Sequence, residues 1–92
     1  MNETRPGYYA IIPADVRFDK ALSPNAKMLY CEISAHIGNE GYCNVSKQYF
    51  ASILGINVTN VSRLLNKLQD SGYIARKIVN GKEVIVCGRV SH

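Results

Sequence analysis

From Ser46 to Ile74 the chain reads Ser-x4-Ala-x2-Leu-Gly-Ile-Asn-x3-Val-x-Arg-x-Leu-x2-Leu-x3-Gly-x-Ile. This spacing predicts two short helices joined by a tight turn. Ser46 has the hydroxyl needed to cap free backbone amides at the start of a helix over Lys47 to Leu54. Tyr49, Phe50, Ile53 and Leu54 are expected to form its buried side. Gly55 is the residue best able to take the left-handed conformation that ends a helix, and Ile56 then tucks beneath the turn. Asn57 caps the next helix, in which Val61, Leu64, Leu65 and Leu68 recur on one face. Gly72 should stop it, with Tyr73 or Ile74 folding back on Leu68.

A hairpin is predicted immediately after this helix. Tyr73 to Val79 and Glu83 to Cys87 are β-branched runs flanking Asn80-Gly81. Face consistency favours a three-residue Asn-Gly-Lys loop, which would place Ile74, Ile78, Val84 and Val86 together, over a two-residue Asn-Gly loop. Arg76 then intrudes at the sheet edge. Upstream, Ser23 and Pro24 supply a cap and a first-turn proline for a helix running to about Ile37 and stopping at Gly38. Its apolar stripe is Ala26, Leu29, Tyr30, Ile33 and Ile37, and His36 reads as a residue at the edge of the core. Gly41 and Tyr42 to Val45 suggest one brief strand. Tyr8 to Ile12 is a short extended run closed by Pro13, with Val16 and Phe18 as further anchors. The order helix, strand, helix, turn, helix, hairpin is that of an α+β, mainly α fold: a winged helix-turn-helix, with a three-helix core and a small antiparallel hairpin as wing.

Ninety-two residues, 47% of them hydrophobic, are enough for one core and too few for two. The expected organisation is a loose arm over 1–7, a single domain over 8–88 and a tail over 89–92, read as the cut end of a longer protein. The net charge of +4 is unevenly placed. Residues 1–45 carry four basic and five acidic side chains, a balance of −1, and residues 46–92 carry seven and two, a balance of +5. A polyanion is therefore expected at the half holding the helix pair, the alternative being a plain solvated surface. Cys31, Cys43 and Cys87 form no C-x-x-C pair, and neither His36 nor His92 stands at zinc-ligand spacing from them. Reduced, mostly packed thiols fit a cytoplasmic protein. No secretory signal and no apolar run of membrane length occurs, so no membrane partner is expected. Catalysis has little to stand on: there is no triad-like arrangement, no phosphate-cradling glycine loop and no paired carboxylates. Neither enzymatic activity nor a cofactor or metal is expected.

The outer face of the third predicted helix carries Thr59, Asn60, Ser62, Arg63, Asn66 and Lys67, with no acid before Asp70. An ordinary solvated helix more often mixes Glu with Lys in i to i+4 pairs. Arg can bond guanine O6 and N7 together, Asn can pair with adenine N6 and N7, and Thr can meet a thymine methyl. Thr59, Asn60 and Arg63 are accordingly the candidates for base contact in the major groove of double-stranded DNA, and Asn66 is a candidate for base or phosphate. Lys47, Asn57, Ser62 and Lys67 are candidates for phosphate. Lys77, Asn80 and Lys82 would arm the wing, unless the hairpin is only structural.

A further set of residues is more distinctive. Tyr8-Tyr9-Ala10-Ile11-Ile12-Pro13, Leu22-Ser23-Pro24-Asn25-Ala26-Lys27-Met28-Leu29-Tyr30 and Gly41-Tyr42-Cys43 accompany Ala51, Leu54-Gly55-Ile56, Val61-Ser62-Arg63, Leu68 and Gly72-Tyr73-Ile74. Together, over roughly residues 8 to 79, they resemble the N-terminal helix-turn-helix domain of replication initiators and replisome organisers from phages and plasmids of Gram-positive bacteria. The helix-turn-helix part is shared with many bacterial regulators, and the N-terminal run is the more particular. The resemblance implies binding to repeated sites in a replication origin and recruitment of replication proteins through a separate C-terminal region. It also implies DNA contacts by Thr59, Asn60 and Arg63. Asn57 and Asn60 stand where Ser and Thr are common in such helices, which leaves the preferred base sequence open. Two other readings share the fold: a transcriptional regulator, and a winged helix used for protein contacts or self-assembly. The arm around Tyr8 to Ile12 either exchanges between subunits or folds back on its own domain.

Overall fold

The computed structural model describes residues 12–37 and 41–87. The expectations for the arm over 1–7, for Tyr8 to Ile11, for a stop at Gly38 and for the tail over 89–92 lie outside those residues. The described elements are α1 (Ala14–Arg17), α2 (Pro24–Ala35), α3 (Lys47–Leu54), α4 (Val58–Asp70), β1 (Ile74–Val79) and β2 (Lys82–Cys87). They make a mainly helical winged helix-turn-helix, with α2, α3 and α4 packed on one another and the antiparallel β1–β2 hairpin against α4 and α2. Among the described residues no helix is long and apolar enough to cross a membrane.

Each long helix begins where a side-chain oxygen can replace a missing backbone partner. Ser23 Oγ accepts from the Ala26 amide at 3.2 Å, Ser46 Oγ from Tyr49 at 3.1 Å and Asn57 Oδ1 from Asn60 at 2.9 Å. The eight-residue α3 is too short to persist alone. It is held by Phe50, which is fully buried, and by Ala51. It ends as the sequence predicts: Gly55 takes φ 71°, and the Ile56 amide returns to the Ala51 carbonyl at 3.1 Å. The end of α4 repeats this closure, with the Tyr73 amide donating to the Leu68 carbonyl at 2.9 Å.

Several sequence expectations are corrected. Helix α2 stops at Ala35, because Ile37 leaves the helix to form a bridge with Cys43. The brief strand over Tyr42 to Val45 contracts to Cys43 alone, bridged on one side to Ile37 and on the other to Ile85. Tyr49 and Ile53 face outward and are about two-fifths exposed, since an eight-residue helix wedged between two others buries only a narrow strip. Phe18 is exposed, whereas Val16 enters the core from α1, a helix the sequence reading did not foresee.

The hairpin register is the largest correction. Val79 pairs with Lys82 and Ile78 with Glu83, so the loop has two residues, not three. Asn80 at φ 52° and Gly81 at φ 79° both occupy the left-handed region. This is the turn whose twist matches that of the strands, and it prevails over face consistency. Ile78 is left 70% exposed at the tip. Alternation fails as a guide here because the middle of β2 is covered on both faces: neighbours Val84 and Ile85 are both buried, and Cys43 pairs with the outer edge of the strand at Ile85.

Two polar side chains hold α1 in place. Lys27 Nζ donates to the Arg17 carbonyl at 2.6 Å, satisfying the end of that short helix. The Tyr73 hydroxyl, at the far end of α4, lies 2.8 Å from Asp19 Oδ2 and 3.1 Å from the Asp15 carbonyl. The phenol beside Asp19, together with the Ala21 amide, holds that carboxyl below its ordinary value of 3.8. Burial raises all three thiols above their ordinary range, Cys43 to about 11, so they remain protonated at neutral pH.

Because the folded-state value of Asp19 is depressed, its contribution is present above about 3.8 and is lost as pH falls through the folded value. Tyr73→Phe is therefore expected to lower the melting temperature at neutral pH. Its difference from the parent should narrow in melts below pH ~3.8. A difference that stays constant across that range would show that the hydroxyl does not act through this carboxylate.

Candidate nucleic-acid interface

Val61, Leu65 and Leu68 are buried to 1% exposure or less, and Leu64 packs beside them. At about 100° per residue, burial of this stripe turns Thr59, Arg63 and Asn66 outward in one strip, with Asn60 and Lys67 along one flank and Ser62 along the other. Thr59, Asn60, Arg63, Asn66 and Lys67 are all exposed, and Ser62 is half-buried. The structure thus brings the six α4 candidates onto one surface, with Asp70 the only acid of the helix, in its last position.

The remaining candidates lie around this strip. Lys47 opens α3 and is half-buried. Asn57 is exposed, but its carbonyl oxygen already caps α4, so the amide nitrogen is the group left to donate. On the wing, the register sets Lys77 opposite Val84 and Lys82 opposite Val79, which puts both lysines on the same face of the hairpin. Both are exposed, and Asn80 is exposed in the turn beside them.

The sequence reading missed one residue of this surface. Arg76 lies on the opposite face of β1 from Lys77 and reaches α4, where its Nη2 donates to Asn66 Oδ1 at 2.6 Å. The expected intrusion at a sheet edge is instead a tie between wing and helix. The only signal in the sequence was that Arg76 was the odd charge in an otherwise apolar face.

His36 bears out its reading as a core-edge residue. Its Nδ1 lies 2.8 Å from the Glu32 carbonyl, and its ring packs edge-on against Tyr49 and Phe50.

An α4 helix with one buried stripe and one cationic, acid-poor strip, preceded by a tightly turned α3 and followed by a lysine-bearing hairpin, defines the helix-turn-helix class. A family model described as a helix-turn-helix domain matches residues 20–74, more than half of the chain, and the protein belongs to that family. Membership supports DNA binding. No curated protein and no solved structure shows a significant match to the chain.

The capping role of Asn57 is open to test. Asn57→Ala should cost about 1 kcal/mol of stability through loss of the cap, whereas Asn57→Asp, which keeps the acceptor, should retain it. Urea unfolding of the two variants is the check, and equal losses would remove the side chain from the cap.

Proposed function

We propose that this domain binds double-stranded DNA sequence-specifically, with α4 in the major groove and the wing on the adjoining backbone or minor groove. The observation that carries the proposal is the outward strip of α4, which has no acid from Val58 to Gln69 and lies opposite a fully buried stripe. In this reading Thr59, Asn60 and Arg63 meet base edges, and Asn66 is aligned with them. Lys47, Asn57, Ser62 and Lys67 hold phosphates, and Lys77, Asn80 and Lys82 bring the wing to the duplex. The domain acts as a binding module and not as an enzyme.

We further propose that the sites are those of a replication origin, recognised by an initiator of the phage or plasmid type. The support is the resemblance carried by Leu22 to Tyr30, Gly41 to Cys43 and the α3–α4 series, together with Tyr8 to Pro13. Mapping bound genomic fragments separates this role from transcriptional regulation: clustered repeats in an origin support it, and a lone promoter operator contradicts it.

A groove-binding module that neutralises about five or six phosphates loses affinity steeply as salt rises. Titration of duplex fragments at two salt concentrations should show this, and salt-insensitive association would favour protein contacts instead. Arg63→Ala should cost about 1 to 3 kcal/mol of binding and relax preference at one base pair. Lys82→Ala should weaken all sequences alike and reduce the salt slope by about 1, and an unchanged slope would take the wing out of the footprint.

A further inference from the structure

The tie between Arg76 and Asn66 bears on which base the helix can read. A guanidinium carries only donors, so the amide of Asn66 has one orientation open to it, with the oxygen toward Arg76 and the nitrogen away. The opposite orientation would set two donors against each other. The bond is short, at 2.6 Å, and charge-assisted, a type roughly twice as strong as a neutral one. Arg76 is itself confined: it is half-buried, and its Nε is fully covered with no acceptor of its own. A covered donor without a partner costs free energy, and the bond from Nη2 to Asn66 is the polar contact that offsets it.

Asparagine recognises adenine by setting its oxygen on N6 and its nitrogen on N7 side by side. An amide whose oxygen is turned toward β1 does not present that pair. What remains for a base is the amino group, with two hydrogens and no acceptor. Guanine suits it, because O6 and N7 are adjacent acceptors, whereas adenine opposes it with its own amino group.

We propose that Arg76 is a specificity-determining positioning residue, which holds the carbonyl oxygen of Asn66 so that this side chain reads guanine in preference to adenine. The proposal rests on the reading of α4 as the groove-binding helix and deepens it. It also assigns the wing a part in base selection that does not require the wing to touch a base.

The test is site selection from a randomised duplex pool, followed by affinity measurements on the selected duplex with guanine or adenine at the position in question. That position is identified as the one whose preference disappears in Asn66→Ala. The parent protein should favour guanine there by on the order of tenfold. Arg76→Met should shift the preference toward adenine while leaving the position governed by Arg63 unchanged, and Arg76→Lys, which keeps a donor, should restore guanine. A merely structural role for Arg76 would lower affinity for all duplexes alike. A parent preference for adenine, an unchanged ratio in Arg76→Met, or no position that depends on Asn66 would each overturn the proposal. A parent preference for adenine, or no position that depends on Asn66, overturns the proposal even if Arg76→Met does not fold, and Arg76→Lys then carries the comparison at Arg76. Loss of selection at every position, that of Arg63 included, would instead remove the DNA-binding reading beneath it.

Discussion

Everything outward on α4 depends on what is inward. Val61, Leu65 and Leu68 are sealed against α2 and α3, and each such side chain contributes roughly 1.5 to 3 kcal/mol on burial. Rotating the helix by one residue would expose that stripe and drive polar side chains into an apolar core, at a cost no surface contact offsets. The rotation of α4 is thereby set. With it are set the direction of Arg63, the reach of Arg76 to Asn66 and the place of the wing.

Much of this was legible in the sequence, because the signals were local. Ser23, Ser46 and Asn57 each have one task that their residue type does well, and all three cap the helices they precede. Gly55 ended α3 where a left-handed residue was needed, and the apolar period of α4 identified its buried side. The extents of α3 and α4 fall at the bounds those signals imply.

What was not legible depends on contacts distant in sequence. The bridge from Cys43 to both Ile37 and Ile85 shortens α2 and pairs with the outer edge of β2, and no local pattern announces it. The Tyr73 bond to Asp19 spans 54 positions and fixes α1, whose four residues carry no helical period to read. The hairpin register shows a conflict between two sound arguments. Turn geometry prevailed over face alternation because an Asn-Gly pair satisfies its dihedrals locally, while neighbouring Val84 and Ile85 are buried on opposite faces, so alternation does not single out one register. Arg76 was passed over for the same reason: its meaning lies in Asn66, ten positions away on another element. In the candidate site, the residues of α4 followed from periodicity, and the coupling between helix and wing lies in a contact between two elements.

The most direct measurement of the central claim is an amide chemical-shift map of the labelled domain titrated with a selected unlabelled duplex. If α4 enters the major groove, the largest changes fall on the first half of α4, on the amides around Asn57, on Lys47 and on the wing turn, while the outer face of α2 changes little. Changes centred on α2 or on the exposed Phe18, with α4 unmoved, would contradict the placement.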